Sequence, residues 1–198
     1  MNLSPEAAQS PQTWSPEPSW FEGFAQFFER ILVDPAFTAK YVPELPEAER
    51  EPFRAGRVRE VAEGIVDAIV TTRAERKLYE DPSDVLGACR LAAETRAQLT
   101  GAPLPPADGD PYDSALLSGL LWHYPAYSPN YLYAYMTEAR LWDSVSAAVG
   151  NPVANAKLAP FLVDKLIHQP VTVPFARRLD AIAPGERTAP LKSYLGAR

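Results

Sequence analysis

The sequence predicts an all-α protein, a multi-helical array. Three observations carry that prediction. Apolar residues recur at three- and four-residue spacing through most of the chain. No stretch shows the strict alternation of a half-buried strand. Prolines, glycines and aspartates fall between the periodic segments, where helices are expected to stop. With 198 residues, 46% of them apolar, the chain is long enough for a packed core, expected as one helical domain over 19–198.

Residues 1–18 (SPEAAQSPQTWSPEP and its flanks) are expected as an extended arm, because spaced prolines exclude a helix. Trp14 is a candidate anchor for it, and a floppy tail is the plain alternative. The first helix is expected from Ser19 to Val33. Ser19 would be its N-cap, with Glu22 at capping-box spacing. Trp20, Phe21, Phe24, Phe27, Phe28, Ile31 and Leu32 form a broad apolar arc opposite Glu22, Gln26 and Glu29. Asp34-Pro35 ends it, and a short turn follows over PAFTAKYV.

A long charged helix is expected from Pro46 to Tyr79, with Phe53, Val58, Val61, Ala62, Ile65, Ile69 and Val70 as its stripe and Pro52 near its first turn. Arg54, Arg57, Arg59, Arg73 and Arg76 should mostly line its outside. Ser83 is expected to cap the next helix, which reads to Leu99 and closes at Thr100-Gly101. A Pro/Gly/Asp-rich loop leads to a short apolar helix over 112–123, then to HYPAYSPN. The following helix runs from near Pro129 to Val149 and stops at Gly150. On it Tyr131, Tyr135, Glu138, Trp142, Val145 and Val149 share one face; Tyr133, Thr137, Arg140 and Ser144 share another. Val153 to His168 and Pro174 to Ala183 read as further helices, and TAPLKSYLG as a last turn.

Bulk chemistry removes several function classes. The net charge of −6 without a basic stripe argues against nucleic acid. No apolar run approaches the ~18 residues needed to cross a membrane, and the N-terminus lacks a secretory pattern. The single cysteine, Cys89, excludes an intrachain disulfide and fits a reducing compartment. A cytoplasmic location is expected. Only two histidines occur, His123 and His168, and no His-Glu-x-x-His. That motif sets two imidazoles on one helical face, so this chain is not expected to complete a zinc site by itself.

Two segments nonetheless look familiar. SWFEGFAQFFERIL resembles the helix that carries the third zinc ligand in gluzincin metallopeptidases of the oligopeptidase and angiotensin-converting-enzyme-like groups. HYPAYSPNYLYAYMTEARLW resembles the segment whose histidine and tyrosines bind substrate and stabilise the oxyanion there. NPVANAKLAPFLVDKLI and PLKSYLGAR resemble those enzymes' terminal helices. The resemblance covers roughly 18–198 and implies the C-terminal lobe of such an oligopeptidase. It implies Glu22 as metal ligand, His123 and either Tyr133 or Tyr135 as catalytic groups, and Tyr127 and Tyr131 as substrate-binding. The departure is large: the first two ligands and the general base should precede Glu22, where only 21 residues lie, none of them histidine.

Plain structural readings stand beside these. Glu22 also suits an exposed first-turn glutamate, His123 a hydrogen-bonded, partly buried histidine, and the tyrosines a core or interface. Glu29 reads as solvated or as a support to a ligand, His168 as a helix-end residue, and Cys89 as a small core residue. Three functional readings follow. One is a subunit of a zinc-dependent peptidase-like hydrolase, completed by a partner chain bearing His-Glu-x-x-His and sharing its zinc; negligible hydrolysis of peptide is expected from the isolated chain. The second is an inactive pseudo-peptidase, a peptide- or protein-binding scaffold. The third is an unrelated helical enzyme.

Overall fold

The computed structural model describes residues 18–104, 126–153, 155–169, 173–185 and 188–196. Helices account for the regular structure of these residues, and no strand occurs among them. They are α1 (Pro18–Val33), α2 (Pro35–Tyr41), α3 (Glu47–Glu80), α4 (Val85–Thr100), α5 (Ser128–Val149), α6 (Leu158–Leu162), α7 (Phe175–Ile182) and α8 (Ala189–Tyr194). A π-helical turn, Val163–Ile167, continues directly from α6. All but the last residue of the expected arm, and the helix expected over 112–123, lie outside the described residues.

Local chemistry places most boundaries. Asp34 separates α1 from α2 and caps the latter, its carboxylate accepting the Ala36 N–H at 2.8 Å. Gly101 takes a left-handed conformation (φ 72°) and its N–H bonds the Ala97 carbonyl, ending α4 as expected. Gly150 (φ 83°) ends α5 in the same way, with its N–H on Ser146.

Two caps differ from the sequence reading. Ser19 lies inside α1, because Pro18 begins the helix; proline suits a first helical position, where its missing N–H would have no partner anyway. Ser83 does not cap α4. Asp84 does, accepting from the Gly87 N–H at 2.9 Å, while the Ser83 hydroxyl donates to Asp81 at 2.6 Å. The side chain one residue nearer the first turn wins the cap. The helix expected from Val153 starts only at Leu158, and Pro52 sits well inside α3 rather than in its first turn.

Packing divides the chain into two units. One comprises residues up to Arg59 together with Tyr133 onward; the other runs from Glu60 to Leu132. The boundaries fall inside α3 and inside α5. The first unit is built on Phe27 and Ile31 of α1, Leu141 and Val145 of α5, Leu162, Leu166 and Leu179. Trp20, Phe24, Phe37 and Trp142 pack around them. Gly23 lets α1 approach α5 closely: a Cβ there would lie 2.7 Å from the Thr137 side chain and 3.0 Å from the Ala134 carbonyl. Buried Arg140 donates to Asp180 at 2.7 Å and to the Ala183 carbonyl at 2.6 Å, tying α5 to the end of α7.

The second unit centres on Val70, Ala74, Ala88, Cys89 and Ala92, small residues that bring α3 and α4 together. Arg96 bonds Asp67 at 2.9 Å across the same pair of helices. Glu75, nearly fully buried, accepts from the Tyr79 hydroxyl at 2.8 Å and from the backbone N–H of Ala126, a residue at φ 60°.

The expected outward row of arginines on α3 is only partly right, because the Arg57 side chain retains just 10% of its exposure. Phe53, expected on the stripe of α3, is exposed. The largest departure concerns α1. Phe21, Phe28 and Leu32 belong to its apolar arc but are 51%, 41% and 52% exposed, whereas Gln26 on its polar side is buried.

Candidate functional site

The residues singled out in the sequence occupy different places. Glu22 sits in the second turn of α1, half-buried, next to the glycine that lies against Thr137. Tyr133 and Tyr135 both lie on α5. Two positions apart, they leave the helix about 160° from each other, Tyr133 being exposed and Tyr135 half-buried. Tyr127 and Tyr131 belong to the other unit, where their rings meet edge to face at 5.6 Å between centroids. His123 lies outside the described residues. Among the described residues no three of His, Cys, Asp and Glu converge as metal ligands would. The described residues therefore do not supply a complete set of zinc ligands on their own.

The strongest electrostatic feature is one that the sequence did not single out. Glu138 of α5 is fully buried, and neither of its carboxylate oxygens finds a hydrogen-bond donor among the described residues. Around it stand Arg30 and Glu29 of α1, Arg57 of α3 and Tyr194 of α8. Arg30 is clamped between two rings, its guanidinium carbon 4.2 Å from the centroid of Trp142 and 3.9 Å from that of Tyr194. Its Nη1 and the Gln26 carbonyl oxygen are also buried without a partner among the described residues. Arg57 is turned toward Glu29, donating to its carboxylate at 2.6 Å.

Burial dominates the electrostatics of this cluster. Loss of solvent pushes the Glu138 carboxyl up to about 7, against the pull of Arg30 and Arg57 in the other direction. Burial and the Glu138 charge push the Tyr194 phenol up to about 12. Burial also lowers Arg30, with Glu138 opposing the shift. Chemically, the cluster can hold a proton on a carboxyl near neutral pH, inside a helix junction that bulk substrate does not reach. The signal was present in the sequence: Glu138 is the one acid on a face otherwise made of Tyr131, Tyr135, Trp142, Val145 and Val149.

The other feature is the outer side of α1. Phe21, Phe28 and Leu32, at i, i+7 and i+11, fall within about 40° around the helix axis and form an exposed apolar stripe three turns long. Glu22 and Glu29 follow at about 100° from it, so an acidic edge runs beside the stripe. Among the described residues no helix is long and apolar enough to cross a membrane, so the stripe does not belong to a spanning segment. No protein-family model, curated protein or solved structure matches this chain.

Proposed function

We propose that this chain works as one subunit of a two-protein assembly, with its partner seated on the Phe21–Phe28–Leu32 side of α1. The observation that carries the reading is that stripe: large apolar side chains left exposed in register on a single helix. Together they offer on the order of 250 Å² of apolar surface, worth about 6 kcal/mol on burial before the cost of association. That suits the centre of a heteromeric interface rather than a whole one. The net charge of −6 favours a partner whose apolar face is bordered by Lys or Arg.

The gluzincin resemblance gives this partner a specific form. It would carry the His-Glu-x-x-His helix, Glu22 would complete its zinc site, and His123 with Tyr133 or Tyr135 would face the substrate. Supporting this form is the placement of Glu22, half-buried on the same helix as the stripe. The scaffold form differs only in lacking the metal.

The test is co-expression with a protein of similar size bearing His-Glu-x-x-His from a neighbouring reading frame. Light scattering would give the stoichiometry, and elemental analysis the zinc. A 1:1 complex lost in Phe28→Asp and Leu32→Asp, with circular dichroism unchanged, is expected. A complex that survives both substitutions refutes docking on α1. About one zinc per complex, lost in Glu22→Ala, is the hydrolase outcome; a metal-free complex leaves the scaffold.

A further inference from the structure

A separate feature lies in the first unit. Three helical walls border an open cleft of about 450 Å³, within the volume range of small-molecule sites. Ser144 and Ala148 of α5 line one wall, and Phe161 and Lys165 of α6 and its π-helical continuation line the second. Arg177, Arg178, Ala181 and Ile182 of α7 line the third, and Gln169 and Val173 complete the rim. Each helix contributes residues four positions apart, as helices facing a common space do.

The charged residues described in the lining are all of one sign. Among the described lining residues Lys165, Arg177 and Arg178 are cationic and none is a carboxylate, although the chain as a whole carries −6. Arg178 is half-buried and held in place: its Nε donates to the Val173 carbonyl at 2.8 Å and its Nη1 to the Leu166 carbonyl at 3.4 Å. Leu166 belongs to the π-helical turn, which the His168 N–H closes on the Val163 carbonyl at 2.9 Å. Such turns are rare and frequently stand at functional sites. Here the turn provides a carbonyl that steadies a guanidinium on the cleft wall. Arg177 is exposed, and Lys165 pairs with Asp164 at 2.8 Å on the surface, where an ion pair exchanges easily. Phe161, Ile182, Val173 and the two alanines give the remaining surface an apolar character.

We infer that this cleft binds a small organic anion, an oxyanion head on an apolar body. The exposed guanidinium of Arg177 and the ammonium of Lys165, beside the anchored Arg178, suit a carboxylate or a phosphate monoester. The apolar walls exclude a preference for a bare inorganic ion. The inference is independent of the partner docking on α1.

The probes are 4-phenylbutyrate, phenyl phosphate, 4-phenylbutyramide and inorganic phosphate, titrated into the full chain by calorimetry and amide-shift mapping. Either organic anion should bind and shift Ser144, Lys165 and Gln169, with the tighter of the two identifying the head group. The amide should bind at least tenfold more weakly, and so should inorganic phosphate. Arg177→Gln and Lys165→Gln, both at exposed positions, should each weaken binding about tenfold while leaving the thermal midpoint unchanged. Equal affinity for the amide, equal affinity for inorganic phosphate, or no shifts at these residues with any probe at millimolar concentration would each overturn the inference.

Discussion

Replacing Glu138 with glutamine tests the electrostatic reading of the first unit most directly. Glutamine keeps the shape and removes the titration. In the folded chain the carboxyl holds its proton up to about 7, whereas its ordinary value is 4.5. The folded protein therefore binds more protons than the unfolded chain between these values, and stability falls as pH rises through that window. The contribution is fully present below 4.5 and gone above 7. Between pH 5 and pH 8 the shift corresponds to about 2.5 kcal/mol, at 1.36 kcal/mol per unit. Above pH 7 the ionised carboxylate faces Arg30, Arg57, Glu29 and the neutral Tyr194, with its oxygens still lacking donors among the described residues.

Urea unfolding of both proteins at pH 5, 6, 7 and 8 reads this out. The two should be nearly equal at pH 5, and Glu138→Gln should be more stable by about 2 kcal/mol at pH 8. Parallel pH profiles would show that Glu138 is ionised throughout and that its burial has been compensated by donors. A glutamine variant less stable at pH 8 than at pH 5, relative to the parent, would reverse the sign and refute the argument outright.

Other expectations follow from the same contacts. Gly23→Ala should destabilise by about 1–3 kcal/mol in thermal unfolding, because its methyl would meet Thr137 at 2.7 Å. Gly56→Ala, on α3 with nothing within 4 Å of the added carbon, should instead stabilise by about 0.5–1 kcal/mol. If both glycines respond alike, the close approach of α1 and α5 is wrong. Asp180→Asn should cost about 2 kcal/mol in chemical denaturation, since among the described residues it leaves the buried Arg140 with a neutral amide and the Ala183 carbonyl. A neutral result would mean that the carbonyl alone satisfies the guanidinium.

What the sequence determined by itself is the local grammar. The stops at Asp34-Pro35, Gly101 and Gly150, the short helix α2 and the long charged α3 were all legible. Each depends on hydrogen bonds and backbone preferences that reach no more than about four residues along the chain. Even the misplaced cap, Ser83 for Asp84, erred by one position. Tertiary structure alone decided which sides of the helices meet. Periodicity shows that Phe21, Phe28 and Leu32 lie on one arc with Phe27 and Ile31, but not that the helices packed against α1 cover only the latter two. Nor does it show that Gln26 would be buried, or that Arg30 would turn inward to meet Glu138, Trp142 and Tyr194. Arg30 is more than a hundred residues of chain from the groups it meets, and their energies arise only when water is removed from around them together.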